Sequence, residues 1–139
     1  MESILIVFWS GTGNTEAMAK GIAKGIEAAG EMADVFDVCD ADSTLINAYT
    51  KIAFGCPSMG IEELEENEFE PFFESVEDLL VDKKLALFGS YGWGDGEWME
   101  SWIARTRLTG AKIMGEGFVA NLKPDEESCI EFGKQFADF

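Results

Sequence analysis

The chain has 139 residues, 47% of them hydrophobic, with 27 acidic against 10 basic side chains and a formal charge of −17. That length fits a single domain spanning residues 1–139 around one core, and the composition excludes a disordered chain. The charge excludes nucleic acid and anionic lipid as partners, since both attract Lys and Arg, and favours proteins with basic surfaces. There is no histidine, and Cys39, Cys56 and Cys129 are scattered, so the usual transition-metal ligands are missing. Most general-base and triad schemes lose their central residue too, and any redox or group chemistry must come from a bound cofactor. No apolar run reaches the ~18–20 residues of a membrane span, and no basic leader with a cleavage site opens the chain. Three free thiols without a C-x-x-C motif fit a cytoplasmic protein.

Ile4-Leu5-Ile6-Val7-Phe8-Trp9 is apolar without alternation, which predicts a strand covered on both faces. Met18, Ala19, Ile22, Ala23 and Ile26 then recur at helical spacing. Between the two lies Ser10-Gly11-Thr12-Gly13-Asn14-Thr15, a strand-to-helix turn. The first turn of a helix has N–H groups without intrahelical acceptors and a positive dipole end. Two glycines let the backbone curl those groups around an anion, and the hydroxyl and amide side chains add neutral donors. A polar turn with a simple cap is the other reading. There is no Walker lysine, and the sixth position of G-x-G-x-x-G is Glu16, so neither common phosphate motif is present.

Gly30 stops the first helix, and Met32–Val38 forms a second strand. Asp42-Ser43-Thr44 opens a short helix, and Lys51–Gly55 is a third strand running into Cys56-Pro57-Ser58-Met59-Gly60. From Ile52 to Asp82 there are ten acids and no base, either a solvated face or a docking surface for a cationic partner. Pro71 is predicted to start a helix with Phe72, Phe73, Val76, Leu79 and Leu80 as its stripe. Leu85–Phe88 is a fourth strand, followed by the loop Gly89-Ser90-Tyr91-Gly92-Trp93-Gly94-Asp95-Gly96, whose backbone can approach a flat ligand. The helix from Glu97 to Gly110 sends Trp98, Trp102 and Ile103 to the core. Lys112–Met114 and Gly117–Ala120 make a fifth strand with breaks at Gly115 and Gly117, and Pro124-Asp125 opens the last helix.

Five β-α repeats predict an α/β fold with a doubly wound five-stranded parallel sheet, whose ligands bind beyond the carboxyl ends of the strands. The loops after strands one, three and four, each bearing glycine, converge there. These three loops, with Glu68-Phe69-Glu70-Pro71-Phe72 and Cys129-Ile130-Glu131-Phe132-Gly133, resemble the short-chain bacterial flavodoxins over essentially the whole chain. The resemblance implies the strand order 2-1-3-4-5 with FMN at the switch point, the arrangement of flavodoxin itself. It implies a monomeric electron carrier rather than an enzyme, low in potential, cycling between semiquinone and hydroquinone. Its partners would be reductases, oxidoreductases or a hydrogenase with basic docking surfaces.

Residue by residue, the resemblance puts Ser10, Gly11, Thr12, Gly13, Asn14 and Thr15 around the FMN phosphate, with Ser58 beside it where Pro57 offers neither hydroxyl nor N–H. Met59 and Trp93 would flank the ring system, Gly60 would turn its carbonyl to N5, and Glu62 would accept from N3. Ser90, Tyr91, Gly92 and Gly94 would supply backbone contacts at the pyrimidine edge, and Asn121 would touch the ribityl chain. Ile61 departs from the small or polar residue usual there. A flavin enzyme such as a quinone reductase would need a substrate pocket, and no extra loop builds one. A receiver domain would need acids after the first strand and an Asp after the third, where Ser10-Gly11-Thr12 and Cys56-Pro57-Ser58 stand.

Overall fold

A computed structural model describes residues 2–139 of the chain. The first apolar run forms β1 (Ser3–Phe8), followed by α1 (Asn14–Ala28), β2 (Met32–Asp37), a short α2 (Ser43–Asn47) and β3 (Lys51–Gly55). Then come α3 (Phe69–Val76), β4 (Lys84–Tyr91), α4 (Glu97–Arg107), β5 (Lys112–Ile113), β6 (Phe118–Asn121) and α5 (Glu126–Asp138). The sheet order is β2-β1-β3-β4-β5, all parallel, so the doubly wound fold and the 2-1-3-4-5 order both hold. The predicted fifth strand is cut in two. β5 and β6 both pair with β4, and the chain between them turns through Gly115 and Gly117 at positive φ.

Successive side chains of a strand point to opposite faces, and here both faces are covered. Leu5, Val7, Ile52, Phe54, Leu85 and Leu87 pack with Phe69, Phe73, Trp98 and Trp102 of α3 and α4. Ile4, Ile6, Phe8, Ala53, Ala86 and Phe88 pack on the other side with Met18, Ile22 and Ile26 of α1 and Cys129 and Phe136 of α5. The aromatic contacts on the first side are mainly edge-on, with Phe54–Phe73 and Phe69–Trp102 centroids 5.4 Å apart. Each fully buried large aliphatic or aromatic side chain contributes about 1.5–3 kcal/mol, which is why these runs dictate the sheet.

Of the boundaries that differ from those predicted, two have a reason in the fold. α3 starts at Phe69, two residues before Pro71. Pro71 therefore sits within the first turn, where its missing N–H removes no intrahelical bond. The cap is supplied from outside the helix by the buried carboxylate of Glu65, which accepts from the N–H groups of Asn67, Glu68 and Phe69 at 2.8 Å. β4 runs on through Gly89-Ser90-Tyr91, because Ser90 and Tyr91 pair with Ala120 and Asn121 of β6.

The register aligns Phe8 with Gly55 and Gly55 with Phe88, so the chain leaves β1 and β3 at one edge of the sheet. The opposite edge carries the lysines. Buried Lys51 donates to the Ala137 carbonyl at 3.0 Å and Lys84 to the Phe139 carbonyl at 2.7 Å, two cations on the carboxyl end of α5.

Candidate cofactor site

Beyond the carboxyl ends of β1, β3 and β4 lies a cavity of about 280 Å³. Ser10, Gly11, Thr12, Asn14 and Thr15 line one side, Ser58 and Met59 another, and Ser90, Tyr91 and Gly92 a third, so three separate stretches meet. Trp9, Pro57 and Leu122 complete the lining. No lining residue carries a charge.

The loop at the start of α1 is shaped by Gly13, whose φ of 98° is open to glycine without strain. Ser10 Oγ accepts from the N–H groups of Gly13 at 3.1 Å and Glu16 at 3.3 Å. Among the described residues, the N–H groups of Thr12, Asn14 and Thr15 have no protein acceptor. They stand at the positive end of a 15-residue helix, with the hydroxyls of Thr12 and Thr15 beside them. Thr15 is 1% exposed, and its hydroxyl shares a 3.1 Å hydrogen bond with Ser90, which ties the first loop to β4. The donors suit a phosphate held without a counter-charge.

Above β3, Met59 and Glu63 form a closed hairpin, each N–H donating to the other's carbonyl at 2.8 Å. Gly60, Ile61 and Glu62 are its three-residue tip. The positive φ values fall on Gly60 (53°) and Glu62 (47°), and Ile61 keeps ordinary backbone angles with 84% of its surface exposed. Glu62 Oε1 accepts from the N–H of Glu97 at 2.9 Å, so this carboxylate caps α4. It also lies against Gly94, where a Cβ would come within 2.7 Å of its carboxyl carbon. The loops after β3 and β4 thus touch. A side-chain hydrogen bond between the Glu97 and Glu62 carboxyls, with the charges of Glu62 and Asp95, holds the Glu97 carboxyl above the ordinary carboxylate range.

Not every candidate lines the cavity. Gly13 stands at its edge as the cap of α1. Gly60, Ile61 and Glu62 project beyond it, and Gly94 lies beneath Glu62. Trp93, next in the chain to Gly92 of the lining, is 63% exposed and does not itself line the cavity, whereas Met59 and Leu122 do and are also exposed. Asn121 turns away, donating from Nδ2 to the Tyr91 carbonyl at 3.2 Å, and Leu122 occupies the lining in its place. Trp9 and Leu122 sit just past strand ends, and no turn motif in the sequence marks either. A larger groove of about 490 Å³ behind the tip hairpin is lined by Glu62, Glu63, Glu70, Glu97 and Arg105, with no N–H cradle.

The acidic run divides. Glu65 caps α3, Glu70 and Glu77 hold Arg105 at 2.7 Å, and Glu68 takes the indole N–H of Trp9, while Glu63, Glu66, Glu74, Asp78 and Asp82 remain exposed.

Fold and cavity together define a class: doubly wound α/β proteins with an uncharged anion cradle at the switch point. Residues 6–133 match the family model described as flavodoxin. A flavodoxin of Megasphaera elsdenii is 48% identical over 134 residues, covering 95% of this chain and 96% of that one. One of Clostridium beijerinckii is 45% identical over 135 residues, covering 96% and 98%. The solution structure of two-electron reduced Megasphaera elsdenii flavodoxin superposes with a TM-score of 0.91, covering 98% of this chain and 99% of that one. The chain belongs to the flavodoxin family, whose members are electron-transfer proteins rather than enzymes and whose cofactor is FMN.

Proposed function

We propose that this chain acts as one FMN-binding domain and a low-potential one-electron carrier, docking cationic redox proteins through exposed acids as a cytoplasmic monomer. The observation that carries this reading is the uncharged switch-point cavity, lined both by the three residues with free N–H groups and by the exposed apolar side chains of Met59 and Leu122. Exposed apolar side chains gathered at one cavity, unlike those scattered singly over a surface, mark a ligand-binding groove. When bound, FMN supplies one-electron redox chemistry between its half-reduced and fully reduced states.

The residues each have a task in that reading. Thr12, Asn14 and Thr15 hold the phosphate through N–H and hydroxyl groups, with Ser10 and Gly13 shaping the loop and Ser58 beside it. Met59 and Trp93 flank the ring and keep water from its faces. Gly60 offers a carbonyl that can rotate toward the ring, because glycine has no Cβ to restrict its backbone angles. The chain's charge opposes the second electron. A unit charge at about 10 Å contributes about 0.4 kcal/mol in a water-like dielectric, and several together lower a one-electron potential by on the order of 100 mV. Glu62, Asp95 and Glu97, whose oxygens lie within 4.8 Å of one another, are the concentrated part of that field. Exposed Glu63, Glu66 and Glu74 present the same sign to an approaching partner and favour a basic one.

The test is uptake of flavin by the apoprotein. FMN is expected to bind with quenched fluorescence and riboflavin at least tenfold more weakly, since a charge-assisted set of N–H bonds is worth more than about 1.4 kcal/mol. Equal affinity for the two flavins would contradict a phosphate cradle at residues 10–15.

A further inference from the structure

Trp9 follows β1 directly and is anchored through its backbone N–H, which donates to the Gly55 carbonyl at 3.0 Å. Its half-buried indole lines the cavity and lies against the loop. A Cβ placed on Gly11 would come within 3.1 and 3.2 Å of the ring carbons Cη2 and Cζ3. The Gly11 backbone thus rests on the indole, and any rotation of the ring would move the loop that carries the free N–H groups. What stops that rotation is remote in sequence. Trp9 Nε1 donates to Glu68 Oε1 at 3.0 Å, and the Cys39 thiol donates to Glu68 Oε2 at 2.5 Å, so both carboxylate oxygens are engaged. Glu68 itself starts from a fixed backbone, because its N–H and those of its neighbours Asn67 and Phe69 are held by buried Glu65. The Cys39 and Trp9 donors hold the Glu68 carboxyl below its ordinary range, so it is the charged acceptor at neutral pH.

We propose that Glu68 is a positioning residue for the cofactor: its carboxylate locks the Trp9 indole, and the indole holds the residue 10–15 loop in its phosphate-binding shape. The proposal rests on the reading of that loop as the phosphate cradle. Preorganisation of donors is what such a lock contributes, because a loop that must be ordered on binding loses affinity to that ordering. The effect belongs to the phosphate end of FMN, since Trp9 meets the loop at Gly11 and not the tip hairpin.

The test uses full-length apoprotein and the affinities of FMN and riboflavin for four variants, with unfolding midpoints as the control for global stability. Glu68→Ala is expected to weaken FMN about tenfold and to leave riboflavin unchanged, the loss of one charge-assisted hydrogen bond. Glu68→Gln keeps an oxygen for the indole N–H and is expected to stay within about twofold of wild type. In a Trp9→Phe background, Glu68→Ala is expected to cost nothing more. Should Glu68→Ala fail to fold, Trp9→Phe alone carries the test through the same selective loss of FMN. Wild-type FMN affinity in Glu68→Ala, an equal loss for both flavins, or an undiminished loss in the Trp9→Phe background would each overturn the lock. Failure of the wild-type chain to prefer FMN over riboflavin would overturn the cradle reading, and the lock with it.

Discussion

At the scale of single residues, the proposed function brings backbone chemistry and redox chemistry together at the hairpin tip. Gly60 and Glu62 carry the positive φ values, and Ile61 is spared. A rotated Gly60–Ile61 peptide in a type II turn would shift positive φ onto Ile61, which costs a β-branched residue about 1–2 kcal/mol. Ile61→Gly removes that cost, and the fraction of one-electron-reduced protein at half reduction is expected to rise. Equal yields from Ile61→Gly and wild type would show that Ile61 does not restrain the turn. Ile61 was legible as a departure because the flavodoxin resemblance implies a small or polar residue after the turn glycine. The position of its φ was not, since that depends on the Met59–Glu63 pairing closing a three-residue tip.

Among elements, the seam between α1 and α5 is the most demanding. A Cβ on Gly25 would lie 1.9 Å from the Ile130 carbonyl oxygen, and one on Gly133 2.1 Å from the Ile22 carbonyl oxygen. The two helix backbones touch through their glycines. Gly25→Ala gains about 1 kcal/mol of helix propensity but must force the helices apart, and a net loss of about 2 kcal/mol is expected by denaturant unfolding. A stabilised variant would mean that the helices separate at no cost. The strands and helices themselves were readable from periodicity, because a sheet buried on both faces leaves continuous apolar runs such as Ile4–Phe8. The seam glycines carried no such signal, because a glycine inside a helix is only a weak point until a partner helix is known. Ser90 and Tyr91 looked like loop because glycines bracket them, and only pairing with β6 makes them strand. The start of α3 depends on Glu65, a cap acting through the fold rather than through the helix's own first residue.

For the whole molecule, the titrating groups set a limit on the alkaline side. Burial, then the charges of Asp125 and Glu126, push the Cys129 thiol up to about 11, and a hydrogen bond to Asp34 raises Tyr49 to about 12. The folded state keeps these protons while the unfolded chain releases its thiol near pH 9, so stability is full below pH 9 and falls as pH rises toward about 11. The thermal midpoint is expected to be flat to pH 9 and then to decline, with a shallower decline in Cys129→Ala. An unchanged slope in that variant would assign the alkaline loss to other groups.

The same excess of negative charge, −17 over the chain, is what makes a further negative charge in the cavity unfavourable. Stepwise reductive titration of the FMN-loaded protein measures this directly. The expected result is two separated one-electron steps, the second well below the potential of free FMN. A single two-electron step at the potential of free FMN would contradict the account.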